Sequence, residues 1–318
     1  MKGTSRLDLA LAALTGILYP LTFMIPYSGI LSWVLLVPLF CAISDKTPRN
    51  AFKLGLLAGT LSNLIGTYWL IGTLSRFGGF PIPVSVIFIV ILSAFSGLSY
   101  ALFSYIVTRL GFMQRPGLLS ALLVAAVWTS VEYFFPFLFP YGIGNSQADY
   151  IPVVQIFDLF GVYALSFIIV LVNVAITRAI MRRGSPFPVR EAALSAVLVA
   201  AAIAYGYVRI GQVDAEIARA PKLRIGMVQA NFDFLEKSES QEDIVTEKHK
   251  EMSLELTDVD LIIWPETAIQ AWFPTDTNYL ALRDTVGVPY IEGKYFIVGG
   301  MSFTPKEENI EVITSDNV

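Results

Sequence analysis

The chain is poor in the residues that most enzymes use for chemistry. Its 318 residues hold one cysteine, Cys41, and one histidine, His249, and only 15% are charged. A lone cysteine forms no intramolecular disulfide and builds no cysteine-based metal site. A histidine-dependent triad would have to use His249, which has no suitable partner nearby in sequence. The shortage of charge, against about 25% in an average soluble domain, excludes a disordered chain, a nucleic-acid-binding domain and an ordinary cytosolic enzyme. The sequence has no glycine-rich phosphate loop and no His/Cys cluster, so no cofactor is expected.

Apolar residues take their place. They make up 55% of the chain, and the mean hydropathy is +0.62. Charge divides the sequence in two. Residues 1–211 carry 13 Lys and Arg against 6 Asp and Glu, a net of +7; residues 212–318 carry 9 against 20, a net of −11. Such asymmetry indicates two physical environments. We read 1–211 as a multi-pass α-helical membrane domain and 212–318 as a water-facing segment.

A bilayer core of about 30 Å takes about 20 helical residues. The apolar pattern predicts about seven spans, at 7–23, 29–44, 51–74, 84–108, 117–135, 151–177 and 191–210. The first two are short and are joined at Pro26-Tyr27-Ser28-Gly29, which suits either two short helices or a re-entrant hairpin. Lys2 and Arg6 precede an apolar run as in a signal peptide, but no small-residue cleavage site follows, so the run is read as a retained helix. With the N-terminus in the cytoplasm, inner segments hold eleven basic residues and outer loops before the last span hold only Arg76. This bias places the acidic segment outside the cytoplasm.

Two outer loops mix aromatics with Gly and Pro: residues 75–83 and 134–147, the second containing Phe139-Pro140-Tyr141-Gly142 and Gln147. They read either as an interfacial aromatic belt with turns or as an entrance for lipid. Glu132 ends a span, where an acid is either functional or simply hydrated.

The acidic segment reads β-α-β-α-β. Strands are predicted at 223–229, 260–264 and 295–303, and helices at 239–257 and 276–286. Val245, His249, Met252 and Leu256 form one helical stripe, which makes His249 a packing residue. Alternating strands and helices imply a mostly parallel sheet, with ligands beyond the strands' carboxyl ends. One acid lies just past a strand end in a constrained turn: Glu266, in Leu261-Ile262-Ile263-Trp264-Pro265-Glu266. Pro265 stiffens the linker. Trp264 beside it is expected to desolvate the carboxylate, which suits a general base; the alternative is a Glu that caps the turn.

The segment "LRIGMVQAN", followed about 30 residues later by "DLIIWPETAI", resembles the opening of the carbon–nitrogen hydrolase (nitrilase) fold. With the preceding spans and the stretches "RFGGFPIPV" and "FPYGIGNSQADYIPVVQIFDLFGVYALSFIIVLVN", nearly the whole chain resembles the apolipoprotein N-acyltransferase family. The resemblance implies an αββα sandwich with a Glu-Lys-Cys triad, begun in residues 212–318. It implies Glu266 as general base, and Pro140 and Tyr141, with Gln147 and Trp264, as residues near the substrate. The family often has Trp where this chain has Tyr141. A phospholipid acyl donor, a diacylglyceryl apolipoprotein acceptor and a bacterial cytoplasmic (inner) membrane setting are implied as well, with no nucleic acid. The family's Lys and nucleophilic Cys come well after Gly299-Gly300 and have no counterpart here; Lys294 reads as a solvated loop residue. The 318 residues therefore resemble an N-terminal portion of the enzyme, expected to be inactive alone. A membrane-anchored amidase of the same superfamily and a non-catalytic membrane scaffold are the competing readings.

Overall fold

The computed structural model describes residues 3–181, 188–232, 242–266, 268–275, 289 and 294–303. They divide into two compact units, Met1–Ala218 and Arg219–Val318.

The first unit is helical. Its helices are α1 (Arg6–Met24), α2 (Val37–Ile43), α3 (Pro48–Gly66), α4 (Leu70–Arg76), α5 (Ile82–Arg109), α6 (Leu118–Phe134), α7 (Ile151–Val154), α8 (Phe157–Met181) and α9 (Val189–Arg219), with 3-10 turns at Ser28–Trp33 and Ile143–Gln147. Local sequence sets the helix starts. Ser5 and Asp8 cap α1 reciprocally, and Thr47 accepts the Asn50 N–H just before Pro48 opens α3. Pro81 and Pro83 open α5, which ends the first aromatic loop. The expected boundary at residue 211 falls inside α9.

Among the described residues, four helices are long and apolar enough to cross a membrane: α1, α5, α8 and α9. The pair α3 and α4 makes a fifth if its 54° bend lies within one span. Residues 28–43 and α6 are shorter apolar segments. Each of the seven predicted segments contains helix, with breaks inside 29–44, 51–74 and 151–177. The short 28–43 segment runs back along α1. At one end the Tyr27 N–H donates to Asp149 at 2.7 Å; at the other, Lys46 pairs with Asp8 at 3.0 Å. Residues 28–43 thus run antiparallel to α1, an arrangement that both two short spans and a re-entrant pair share.

A buried Asn explains how so short a segment is held. Asn173 of α8 is fully buried; its Oδ1 accepts the Leu36 N–H, and its Nδ2 donates to the Ser32 and Ile169 carbonyls, each at 2.9 Å. These bonds satisfy backbone groups at the break between the 3-10 turn and α2. Leu35, Leu36, Leu39, Phe40, Phe103 and Leu165 fill the core. By contrast, α9 exposes Val197, Tyr207 and Val208, as a lipid-facing helix does.

The second unit pairs a helix, α10 (Glu242–Glu255), with strands β1 (Ile225–Met227), β2 (Leu261–Ile263), β3 (Ile269–Pro274), β4 (Tyr295–Ile297) and β5 (Gly300–Phe303). One parallel sheet has the order β1-β2-β4, with Ile225, Leu261 and Tyr295 in register. β3 and β5 form a second parallel pair. The predicted strand at 295–303 is thus two strands in two sheets, broken at Val298-Gly299, and β3 was not foreseen. The predicted helix at 276–286 lies outside the described residues. Met252 and Leu256 of the stripe pack against Val228, Ile262 and Trp264, and the buried His249 lies against Trp264, so His249 packs in the core as expected. The other face of the three-stranded sheet exposes Ile225, Met227, Tyr295 and Ile297.

Candidate active site

Glu266 is an exposed residue in a tight turn at the carboxyl edge of β2. Backbone bonds fix this turn on both sides. The Trp264 N–H donates to the Ile297 carbonyl at 2.9 Å, the Ala268 N–H to Pro265 at 3.2 Å, and the Ile269 N–H to Gly299 at 3.1 Å. Gly299 lies so close that an added Cβ would stand 2.3 Å from the Pro265 oxygen and 2.5 Å from the Glu266 Cα. Only glycine admits this approach, so the β4–β5 break is what seats the Glu266 turn.

Trp264 does not shield Glu266. Its indole is buried in the core, donates to Ser253 Oγ at 2.8 Å and lies against His249 at a ring distance of 5.3 Å. The expectation of a Trp-desolvated carboxylate is therefore corrected. A bonding partner for the indole N–H lies inwards on α10, and burial of the ring favours the same direction. Lys294 is not a free loop residue either. It donates to the Leu256 and Thr257 carbonyls, just past the end of α10. At the opposite edge of the sheet, Arg224 clamps Asp258 and Asp260, and its guanidinium holds the Asp260 carboxyl below the usual range.

In the helical unit the 134–147 loop is suspended between helices. Tyr141 donates its hydroxyl to Asn63 Oδ1 of α3 at 3.0 Å; burial pushes its pKa up to about 12, so it remains a donor. The Ile143 N–H donates to Glu132 Oε1 of α6 at 2.8 Å, and the Gly144 N–H to Ser166 Oγ of α8 at 3.0 Å. Gln147 is buried, and its amide is fully engaged. Its Oε1 accepts Trp33 Nε1–H at 3.0 Å, and its Nε2 donates to the Gly29 carbonyl at 2.6 Å and to Ser146 Oγ at 2.9 Å. Gln147 thus anchors the loop and offers nothing free to a ligand. Pro140 is exposed, as are Leu138 and Phe139. Tyr19, Asn63, Tyr100, Trp128, Glu132 and Tyr141 line a small cavity of about 20 Å³ beneath the loop, room for one water-sized group.

Residues 15–175 match the family model described as the apolipoprotein N-acyltransferase N-terminal domain. The chain belongs to the apolipoprotein N-acyltransferase family. It is similar to the apolipoprotein N-acyltransferase of Geobacter metallireducens, 32% identical over 286 residues, which is 86% of this chain and 54% of that protein. The protein of the same name from Chlorobaculum tepidum is 30% identical over 285 residues, 86% of this chain and 50% of the relative. That of Haemophilus ducreyi is 27% identical over 219 residues, 65% and 40% respectively. The chain spans about half the length of these relatives.

The N-acyltransferase match covers the unit that holds Tyr141 and Gln147. Pro140 and Tyr141 share a loop there with Gln147; Glu266 and Trp264 sit on one turn of the other unit, the first exposed and the second buried. Asn63, Asn173 and Ser166, the partners that fix the helical side, escaped the sequence reading. Their only signal is a polar residue inside an apolar run, such as Asn173 in Ile169-Val170-Leu171-Val172-Asn173.

Proposed function

We propose that this chain forms the membrane half and supplies the general base of an apolipoprotein N-acyltransferase. The observation that carries the reading is a single exposed carboxylate, Glu266, held by Gly299 at the carboxyl edge of a parallel sheet, in a chain whose helical half belongs to this family. The uncovered apolar sheet face, with Ile225, Met227, Tyr295 and Ile297, is the kind of face that a second layer covers in an αββα sandwich. We therefore read residues 212–318 as the start of a nitrilase-like domain, with 1–211 as the membrane domain. The eleven-to-one distribution of basic residues supports a cytoplasmic N-terminus and an extracytoplasmic acidic segment in the cytoplasmic membrane.

The chemistry is a two-step acyl transfer. Glu266 takes the proton of a cysteine thiol supplied by the part of the enzyme outside residues 1–318. The thiolate attacks the ester carbonyl of a phospholipid; the C–O bond breaks, and lysophospholipid leaves with the proton. The resulting thioester is then attacked by the free α-amine of a diacylglyceryl-cysteine on an apolipoprotein. The C–N bond forms, the C–S bond breaks, and Glu266 accepts the amine proton. A thiol with an unperturbed pKa of about 8.5 needs such a base near neutral pH. The exposed aromatic and apolar residues of the outer loop, Phe134, Leu138 and Phe139, suit contact with acyl chains.

The test uses the full-length gene product in detergent micelles with labelled phospholipid. We expect label to reach a diacylglyceryl peptide with a free N-terminus and not its N-acetylated counterpart. Cleavage of a soluble amide with no transfer to the lipopeptide would favour the amidase reading instead.

A further inference from the structure

Glu132 sits in the last turn of α6, and its Oε1 does two things at once. It accepts the Trp128 indole N–H at 2.7 Å from its own helix and the Ile143 backbone N–H at 2.8 Å from the outer loop. Its other oxygen packs on Gly142, where an added Cβ would lie 3.0 Å away. Tyr141, Ile143 and Gly144 thus each hand a donor to a different helix, and the central attachment is Glu132. The loop's own backbone does not satisfy the Ile143 N–H, and Ile143 is fully buried, so without an acceptor this group is left unpaired.

We propose that Glu132 is a positioning residue for acyl transfer. It sets the height and tilt of the 139–144 loop, and through that loop the placement of Phe139 and Tyr141 against the acyl donor. The inference rests on the acyltransferase reading for its consequence, though not for its geometry. What the loop requires is an acceptor oxygen at the right reach. A carboxylate supplies one, and so does a carboxamide of the same length. Aspartate keeps the charge but draws the acceptor back by one methylene, beyond hydrogen-bond distance of Ile143.

The experiment compares Glu132→Gln and Glu132→Asp in the full-length protein by two readouts. Hydrogen exchange at the Ile143 and Gly144 amides reports the attachment. The kcat and KM for phospholipid report its use. E132Q is expected to keep amide protection and to stay within about threefold of the parent in kcat/KM. E132D is expected to lose the protection and to drop about 10- to 100-fold in kcat/KM, chiefly through KM, as misplacement remote from the chemistry does. If E132D keeps protection, Glu132 is not the attachment. If E132Q loses activity with its amides still protected, the carboxylate acts through charge or proton transfer, and the positioning role is wrong. If the parent protein transfers no acyl chain, the functional reading fails, and the exchange result still decides whether Glu132 holds the loop.

Discussion

Replacing Asn173 by Leu removes three hydrogen bonds while keeping the number and branching of the side-chain heavy atoms. The bond to the Ile169 carbonyl is a bonus, because that carbonyl already serves its own helix. The other two are not duplicated: the Leu36 N–H and the Ser32 carbonyl sit at the break between the 3-10 turn and α2, in a fully buried setting. Leaving two buried backbone groups unpaired costs roughly 1–3 kcal/mol each. Membrane double-mutant cycles give a smaller figure, about 0.6 kcal/mol per bond, because the unfolded chain finds partners elsewhere. Burial of Leu36 removes that escape in the folded state, so the expected loss is about 2–4 kcal/mol. The assay is reversible unfolding in mixed micelles followed by circular dichroism. Ile180→Ala, at a position 64% exposed on α8, serves as a control with an expected change within about 0.5 kcal/mol. An Asn173→Leu protein that unfolds with the control would show that these bonds do not hold the short segment.

Two further outcomes are expected. Gly29→Ala would put a Cβ 1.8 Å from the Ser146 carbonyl oxygen. The loop that carries Gln147 must then move, at a cost of about 3 kcal/mol or more in the same unfolding assay; an unchanged midpoint would contradict this contact. Asp260 has a folded-state pKa depressed by hydrogen bonding to Arg224, so its ion pair stabilises the β1–β2 edge above the usual carboxylate range. That contribution fades as the pH falls from about 4 downward. Asp260→Asn should flatten this part of the stability–pH curve, and a curve identical to the parent's would refute it.

Much of this arrangement is written plainly in the chain. The apolar runs mark each helical segment, and the break from Gly226 to Leu261 marks two strands of a parallel sheet, because such runs need neither partners nor distant context. The turn at Glu266 was readable because Pro265 follows a strand. What stayed hidden depends on contacts between remote residues. How the 28–43 segment is held against α8 is decided by Asn173, more than 130 residues away. Trp264 reads as a neighbour of Glu266 in sequence, but its indole follows Ser253 on α10 into the core. Gln147 reads as a polar group open to a ligand until Trp33 and Gly29 take up its amide. The break at Val298-Gly299 carries no period of its own; it exists because Gly299 lies against the Pro265–Glu266 backbone.

The role of Glu266 is tested most directly by mass spectrometry of the nucleophilic cysteine in the full-length protein, with Glu266→Gln beside the parent, after incubation with phospholipid and no acceptor. A general base at this turn predicts an acyl-thioester on the parent protein and an unmodified thiol on the variant, with both equally folded. Equal thioester formation by the two proteins would contradict it.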